Sequence, residues 1–134
     1  MSTIKIFRGD TFIVPTIIIA SPNFTFAYLD GAVVKFQIKP RGDNISTVVI
    51  TALPEHITSQ VLQQPISYTN TNNVSVTETL WCLKISIIIP KELMSVSSVI
   101  AGEYYYDYDI TYTNGIRKTY NQTKLIIKQD VSDG

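Results

Sequence analysis

Cysteine, histidine and tryptophan each occur once in this chain of 134 residues. Cys82 therefore has no internal disulfide partner, and nothing in the cysteine usage points to an oxidising compartment. A Cys–His catalytic pair would have to be built from His56 and Cys82, which fall on different predicted elements. Cys82 lies between Trp81 and Leu83 on an apolar strand, where a small buried thiol is the ordinary reading. Charge is scarce too: Asp, Glu, Lys and Arg make up 16% of residues, against about 25% in soluble domains. Eleven basic and 11 acidic residues cancel, which argues against the positive surface that nucleic acid or an anionic membrane requires. No apolar run approaches the ~20 residues of a membrane-spanning helix. Met1 to Lys5 lacks the basic segment and apolar run of a secretory signal, so the chain is expected to stay in the cytoplasm where it is made.

In place of charge stand Thr, Ser, Asn, Gln and Tyr. A neutral, uncharged exterior is easily desolvated and offers little resistance to association, so the composition points to a docked subunit. The length fits one domain over 1–134 with one two-layer core.

Strand signals run throughout, with turn residues every ten or so positions. Ile4–Phe7 and Phe12–Ile19 read as the first strands, joined as a hairpin at Arg8-Gly9-Asp10, and Pro15 requires an edge or a bulge. After Asp30-Gly31, Ala32, Val34, Phe36 and Ile38 alternate with Val33, Lys35, Gln37 and Lys39, a half-buried strand. Val48–Leu53 is another short strand. From Pro54 to Val74 the alternation fades into Gln, Ser, Thr and Asn, and a long loop or excursion is expected, one whose Ser59–Val74 portion should be removable without loss of the fold. Leu83, Ile85, Ile87 and Ile89 then form a core face with Trp81 as its anchor. Pro90–Met94 is the one plausible helical turn. Tyr104, Tyr106, Tyr108, Ile110 and Tyr112 share a core face, and Asn114-Gly115 predicts a hairpin of type I′. The returning strand is polar on both faces, so a tight turn would set Arg117 and Thr119 against the core unless it lies at an edge or a bulge shifts the register. Residues 130–134 read as a tail. The expected fold is all-β, a two-sheet β-sandwich of about seven to nine strands with at most one short helix.

No catalytic, cofactor-binding or metal-binding set is expected. Asp107 and Asp109 share a strand face, where two carboxylates fall well short of a calcium shell. Arg8-Gly9-Asp10 and Arg41-Gly42-Asp43 read as charged turns, and the Asn-x-Ser/Thr sequons at Asn23, Asn44, Asn73 and Asn121 are not used without export. For a contact surface the candidates are Phe24, Phe26, Tyr28, Gln63, Tyr68 and Tyr105.

Several segments together resemble a known family. They are Arg8-Gly9-Asp10-Thr11-Phe12, the run Leu29–Lys39, and Ala101–Ile110 followed by Lys124–Ser132. Their order and spacing are similar to the small Ig-like modules of tailed bacteriophages, such as the N-terminal domain of baseplate upper proteins and tail-fibre attachment domains. The resemblance covers both ends of the chain and not the stretch from about Ala52 to Leu80. It implies an Ig-like two-sheet sandwich and a non-enzymatic virion structural protein, an adaptor in the neck, collar, baseplate or fibre-attachment region, present in several copies or as a homo-oligomer, whose partners are other virion proteins. The alternative is a carbohydrate-binding β-sandwich that uses Tyr105 or Trp81 on an open face.

Overall fold

The computed structural model describes residues 3–40, 50–95 and 101–129, with the side chains of 121 and 122 outside it. Arg41-Gly42-Asp43, the Asn44 sequon, Asp130 and the expected tail lie outside the described residues.

Eight described strands form two sheets. They are β1 (Thr3–Phe7), β2 (Phe12–Ala20), β3 (Val33–Pro40), β4 (Ile50–Thr51), β5 (Ile57–Thr69), β6 (Ser75–Ile89), β7 (Gly102–Thr111) and β8 (Arg117–Lys128). One sheet runs β1-β8-β7-β3-β4 and the other β2-β6-β5. In immunoglobulin lettering the second sheet is B-E-D and the centre of the first is G-F-C, which makes the fold an Ig-like sandwich. The expected first hairpin is not one: β1 pairs in parallel with β8, and β2 pairs with β6. Arg8–Thr11 instead carries the chain from one sheet to the other. Gly9 makes that turn at φ +89, a region that L side chains avoid.

The alternations place the core as read. Phe36 and Ile38 from β3, Leu83, Ile85, Ile87 and Ile89 from β6, and Tyr104 to Ile110 at every second position of β7 are buried. Trp81 is half-buried and packs against the rim of the core rather than anchoring it. Pro15 lies on an edge strand and at a bulge, since the β2–β6 register shifts between Val14 and Ile17. The bulge leaves the Pro15 carbonyl for another partner, and the buried Tyr108 hydroxyl donates to it from the opposite sheet at 3.4 Å.

Three further expectations change. α2 (Lys91–Met94) forms at Pro90 as read, but a second one-turn helix, α1 (Phe26–Leu29), precedes β3, because Thr25 accepts the Tyr28 N–H at 3.2 Å as its N-cap. The β7–β8 turn has three residues, Thr113-Asn114-Gly115, with Tyr112 N–H bonded to Ile116 O and only Gly115 at positive φ, +88. That length puts Lys118 and Tyr120 opposite Ile110 and Tyr108; the register shift between Tyr108 and Tyr106 then brings Leu125 and Ile127 inward. Most consequentially, the stretch expected as a loop over 54–74 is a turn of 3-10 helix (Pro54–His56) and the full length of β5. Removing Ser59–Val74 would therefore take out most of a strand, including Val61, which packs on the core.

Burial holds the phenols of Tyr106, Tyr108 and Tyr112 above their ordinary value of 10.0, and Tyr112 is raised further by its 2.6 Å hydrogen bond with Tyr120. An unfolded tyrosine ionises near pH 10 while these stay protonated, so above pH 10 the unfolded state binds fewer protons. Their stabilising effect is complete below pH 10 and declines as pH rises toward the folded values, by about 1.4 kcal/mol per tyrosine per pH unit. Circular dichroism and phenolate absorbance should therefore change together, in one cooperative step, well above pH 10. Stepwise ionisation of these phenols in a still-folded chain would contradict their burial.

Candidate interaction surface

The two sheets present opposite kinds of outer face. On the five-stranded sheet, cross-strand rows set Lys39, Tyr105 and Lys124 side by side, and Lys35, Asp109 and Thr119 likewise. Lys124 reaches Glu103 at 3.6 Å and Thr119 donates to Asp109. Asp107 is held above its ordinary range by burial, opposed by the charge of Lys39 and reinforced by that of Asp109. Tyr105 thus sits in a mosaic of charge that water solvates well.

The other sheet has almost no charge outside. Its rows run Ile13 with Ile88, Ile18 with Lys84 and Gln60, Ala20 with Cys82 and Leu62, Leu80 with Gln64, Glu78 with Ile66, and Val76 with Tyr68, so Lys84 and Glu78 are the charged residues in them. Ile13, Ile18 and Ile88 are exposed at 70%, 41% and 52%. Cys82 is wholly buried among its neighbours, its thiol donates to Leu80 O at 3.3 Å, and burial pushes its pKa up. His56 lies in the 3-10 turn before β5, and Ile57, the next residue, is already five positions from Leu62, Cys82's partner, roughly 17 Å along the strand. The His56 Nδ1 accepts the Leu53 N–H at 3.2 Å and closes the 3-10 turn. The two residues are not brought together, and among the described residues no three His, Cys, Asp or Glu side chains gather as a metal ligand set.

β5 and β6 outrun β2, which stops at the Ala20–Cys82 pair. Beyond it the two strands continue as a two-stranded arm to Thr69 and Ser75. The arm's tip is built by asparagine. Asn70 Oδ1 accepts the N–H groups of Asn72 and Val74, and Asn73 takes φ 61. Along the arm Ser67 and Thr77 hydrogen-bond at 2.8 Å, and the Tyr68 hydroxyl donates to Glu78. From Ile57 to Thr77 there is no charged residue. Among the described residues β5 pairs with β6 alone, so its other edge is open. A groove of about 540 Å³ adjoins the start of that edge, lined by Val34, Ala52, Leu53, Pro54, Ile57 and Ser59.

The six contact candidates do not form one patch. Phe24 and Tyr28 are committed to packing, with Tyr28 stacked on Tyr112 at 4.5 Å and Phe24 against both rings. Phe26 is 47% exposed and meets Trp81 edge-on at 5.4 Å; Gln63 is the exposed cross-strand neighbour of the same Trp81. Gln63 and Tyr68 both lie on β5, Tyr68 within the arm. Tyr105 is on the opposite, charged face. Sequence reasoning missed Ile13, Ile18 and Ile88, whose exposure follows only from strand register.

No protein-family model matches the chain, and no curated protein is similar to it. Among solved structures the chain is similar to a family 123 glycoside hydrolase from Clostridium perfringens, described for glycolipid glycan hydrolysis. Identity is 12% and the TM-score 0.41, over 96% of this chain and 23% of that one. The chain thus spans under a quarter of that enzyme's length, and a likeness this loose carries no argument about role.

Proposed function

We propose that this chain is a non-enzymatic assembly subunit, a virion structural protein of a tailed bacteriophage that acts as an adaptor in the neck, collar, baseplate or fibre-attachment region. The observation that carries the reading is the open edge of β5, 13 residues long and without a charge, prolonged into a projecting arm. Folded proteins blunt an exposed edge with lysine, a bulge or a short strand, because unpaired N–H and C=O groups invite another chain. Here only Pro65 interrupts it. Such an edge suits strand addition by a neighbouring subunit, with the rigid sandwich fixing its position. The nearly uncharged outer face of the same sheet supports contact on that side, and the resemblance of both chain ends to phage Ig-like modules supplies the setting.

The test is particle composition. Mass spectrometry of purified virions should find this chain at a fixed multi-copy ratio to the tail proteins. Its absence from particles, together with glycan-array binding by a monodisperse monomer, would replace this reading with the carbohydrate-binding one.

A further inference from the structure

The open edge has a readable hydrogen-bond pattern. At the arm's tip Asn70 N–H donates to Val74 O across the hairpin, at 2.9 Å. Backbone groups alternate in direction along a strand. Even-numbered residues of β5 therefore bond to β6, and odd-numbered ones point to the open side. Pro65 belongs to the odd series and costs the inner ladder nothing. Ile57 N–H is taken by Pro54 O. Ahead of the proline, the donors offered outward are those of Ser59, Val61 and Gln63, with the carbonyls of Ile57, Ser59 and Val61 beside them.

We propose that this edge pairs antiparallel with β5 of a second copy, about a two-fold axis through Gln60; the inference names a partner within the assembly role proposed above. Three features select that partner and register. The edge carries no charge over 57–77, so two identical strands meet without like-charge repulsion. A strand that faces Pro65 loses a donor and meets its ring, so pairing stops short of it. The register that uses most donors while Pro65 falls beyond the second copy's strand sets Ser59 against Val61 and Gln63 against Ile57. All three donors of each copy then find carbonyls, and two three-stranded sheets become one. Gln60 faces Gln60 in a non-hydrogen-bonded pair, Thr58 faces Leu62, and the mouth of the groove at Ile57 and Ser59 lies under the second copy. An interface of identical strands is isologous and closed, so it gives dimers and not fibres.

Non-hydrogen-bonded antiparallel pairs hold their Cα atoms at about 4.5 Å, within disulfide range. In a Cys82→Ala background, Gln60→Cys should cross-link to a dimer on mild oxidation. Thr58→Cys alone and Leu62→Cys alone should not, while the two mixed should. No cross-link at Gln60, or a stronger one for Leu62→Cys alone, overturns the proposal. Ser59→Pro removes an outward donor at the parity where Pro65 already stands. It should leave the circular-dichroism spectrum unchanged and weaken the dimer at least ~10-fold by sedimentation, as expected for lost hydrogen bonds and a proline in the ladder. Unchanged dimer affinity in folded Ser59→Pro also overturns it. A dimer of purified chains that never enters particles would sink the virion role and keep this pairing, and the converse result would do the reverse.

Discussion

Tyr108→Ala is expected to lower the unfolding free energy by about 3–5 kcal/mol, the range for emptying an aromatic site in a core. The ring is 1% exposed and meets Phe36 at 5.3 Å and Tyr106 at 6.1 Å, both edge-on. It is also the place where the sheets are tied by a polar contact, since its hydroxyl reaches the Pro15 carbonyl on β2. Alanine removes the ring and also leaves that carbonyl, freed by the bulge, without its donor. Tyr108→Phe separates the two effects, because it keeps the packing and should cost about 1 kcal/mol. Against a total stability of about 5–15 kcal/mol, the alanine variant should be largely unfolded at temperatures the parent withstands. Urea unfolding followed by the fluorescence of Trp81 measures both. If alanine costs no more than phenylalanine, the ring does not fill the space between the sheets and the inward face of β7 has been assigned wrongly.

That inward face was legible because burial imposes a period of two wherever a strand covers a core. The reading was equally clear in β3 and in the second half of β6, and the strands stand there. It failed over 54–74 for the same reason. The arm spans no core, so neither face of β5 beyond Gln63 needs to be apolar, and Ser67, Thr69, Ser75 and Thr77 are all exposed. Its turn signal was present as Asn70-Thr71-Asn72-Asn73, where asparagine both hydrogen-bonds the backbone locally and accepts positive φ. At Asn114-Gly115 the signal was right about a hairpin and wrong about its length. Tyr112 and Ile116 still pair, so one more residue enters the loop. The bulge opposite Tyr106–Tyr108 then restores Leu125 and Ile127 to the core. Phe24 and Tyr28 precede β3, in a stretch where no alternation shows which side chains face inward. α1, one turn long and capped by Thr25, swings them under Tyr112. The open edge of β5 could not be seen in the sequence at all, because which strand ends a sheet is decided by the pairing of distant segments.

The arm can be separated from the edge by its length. Replacing Pro65–Thr79 with Asn-Gly would join Gln64 to Leu80, which already face each other, through a two-residue turn of the type that matches strand twist. Every residue removed is exposed or half-exposed, and none belongs to the buried cluster, so stability should change by about 1 kcal/mol or less. Ser59, Val61 and Gln63 remain, and with them the pairing about Gln60. The expected result is a folded chain that still forms dimers and is lost from particles, read by incorporation of the variant in a complementation assay against the parent chain. The two halves of β5 would then have different partners, the core-backed half a second copy and the arm a neighbouring virion protein. Normal incorporation of the shortened chain would mean that the arm holds nothing. The contact with the particle would then have to come from the uncharged outer face of the three-stranded sheet, where Ile13, Ile18 and Ile88 stand exposed.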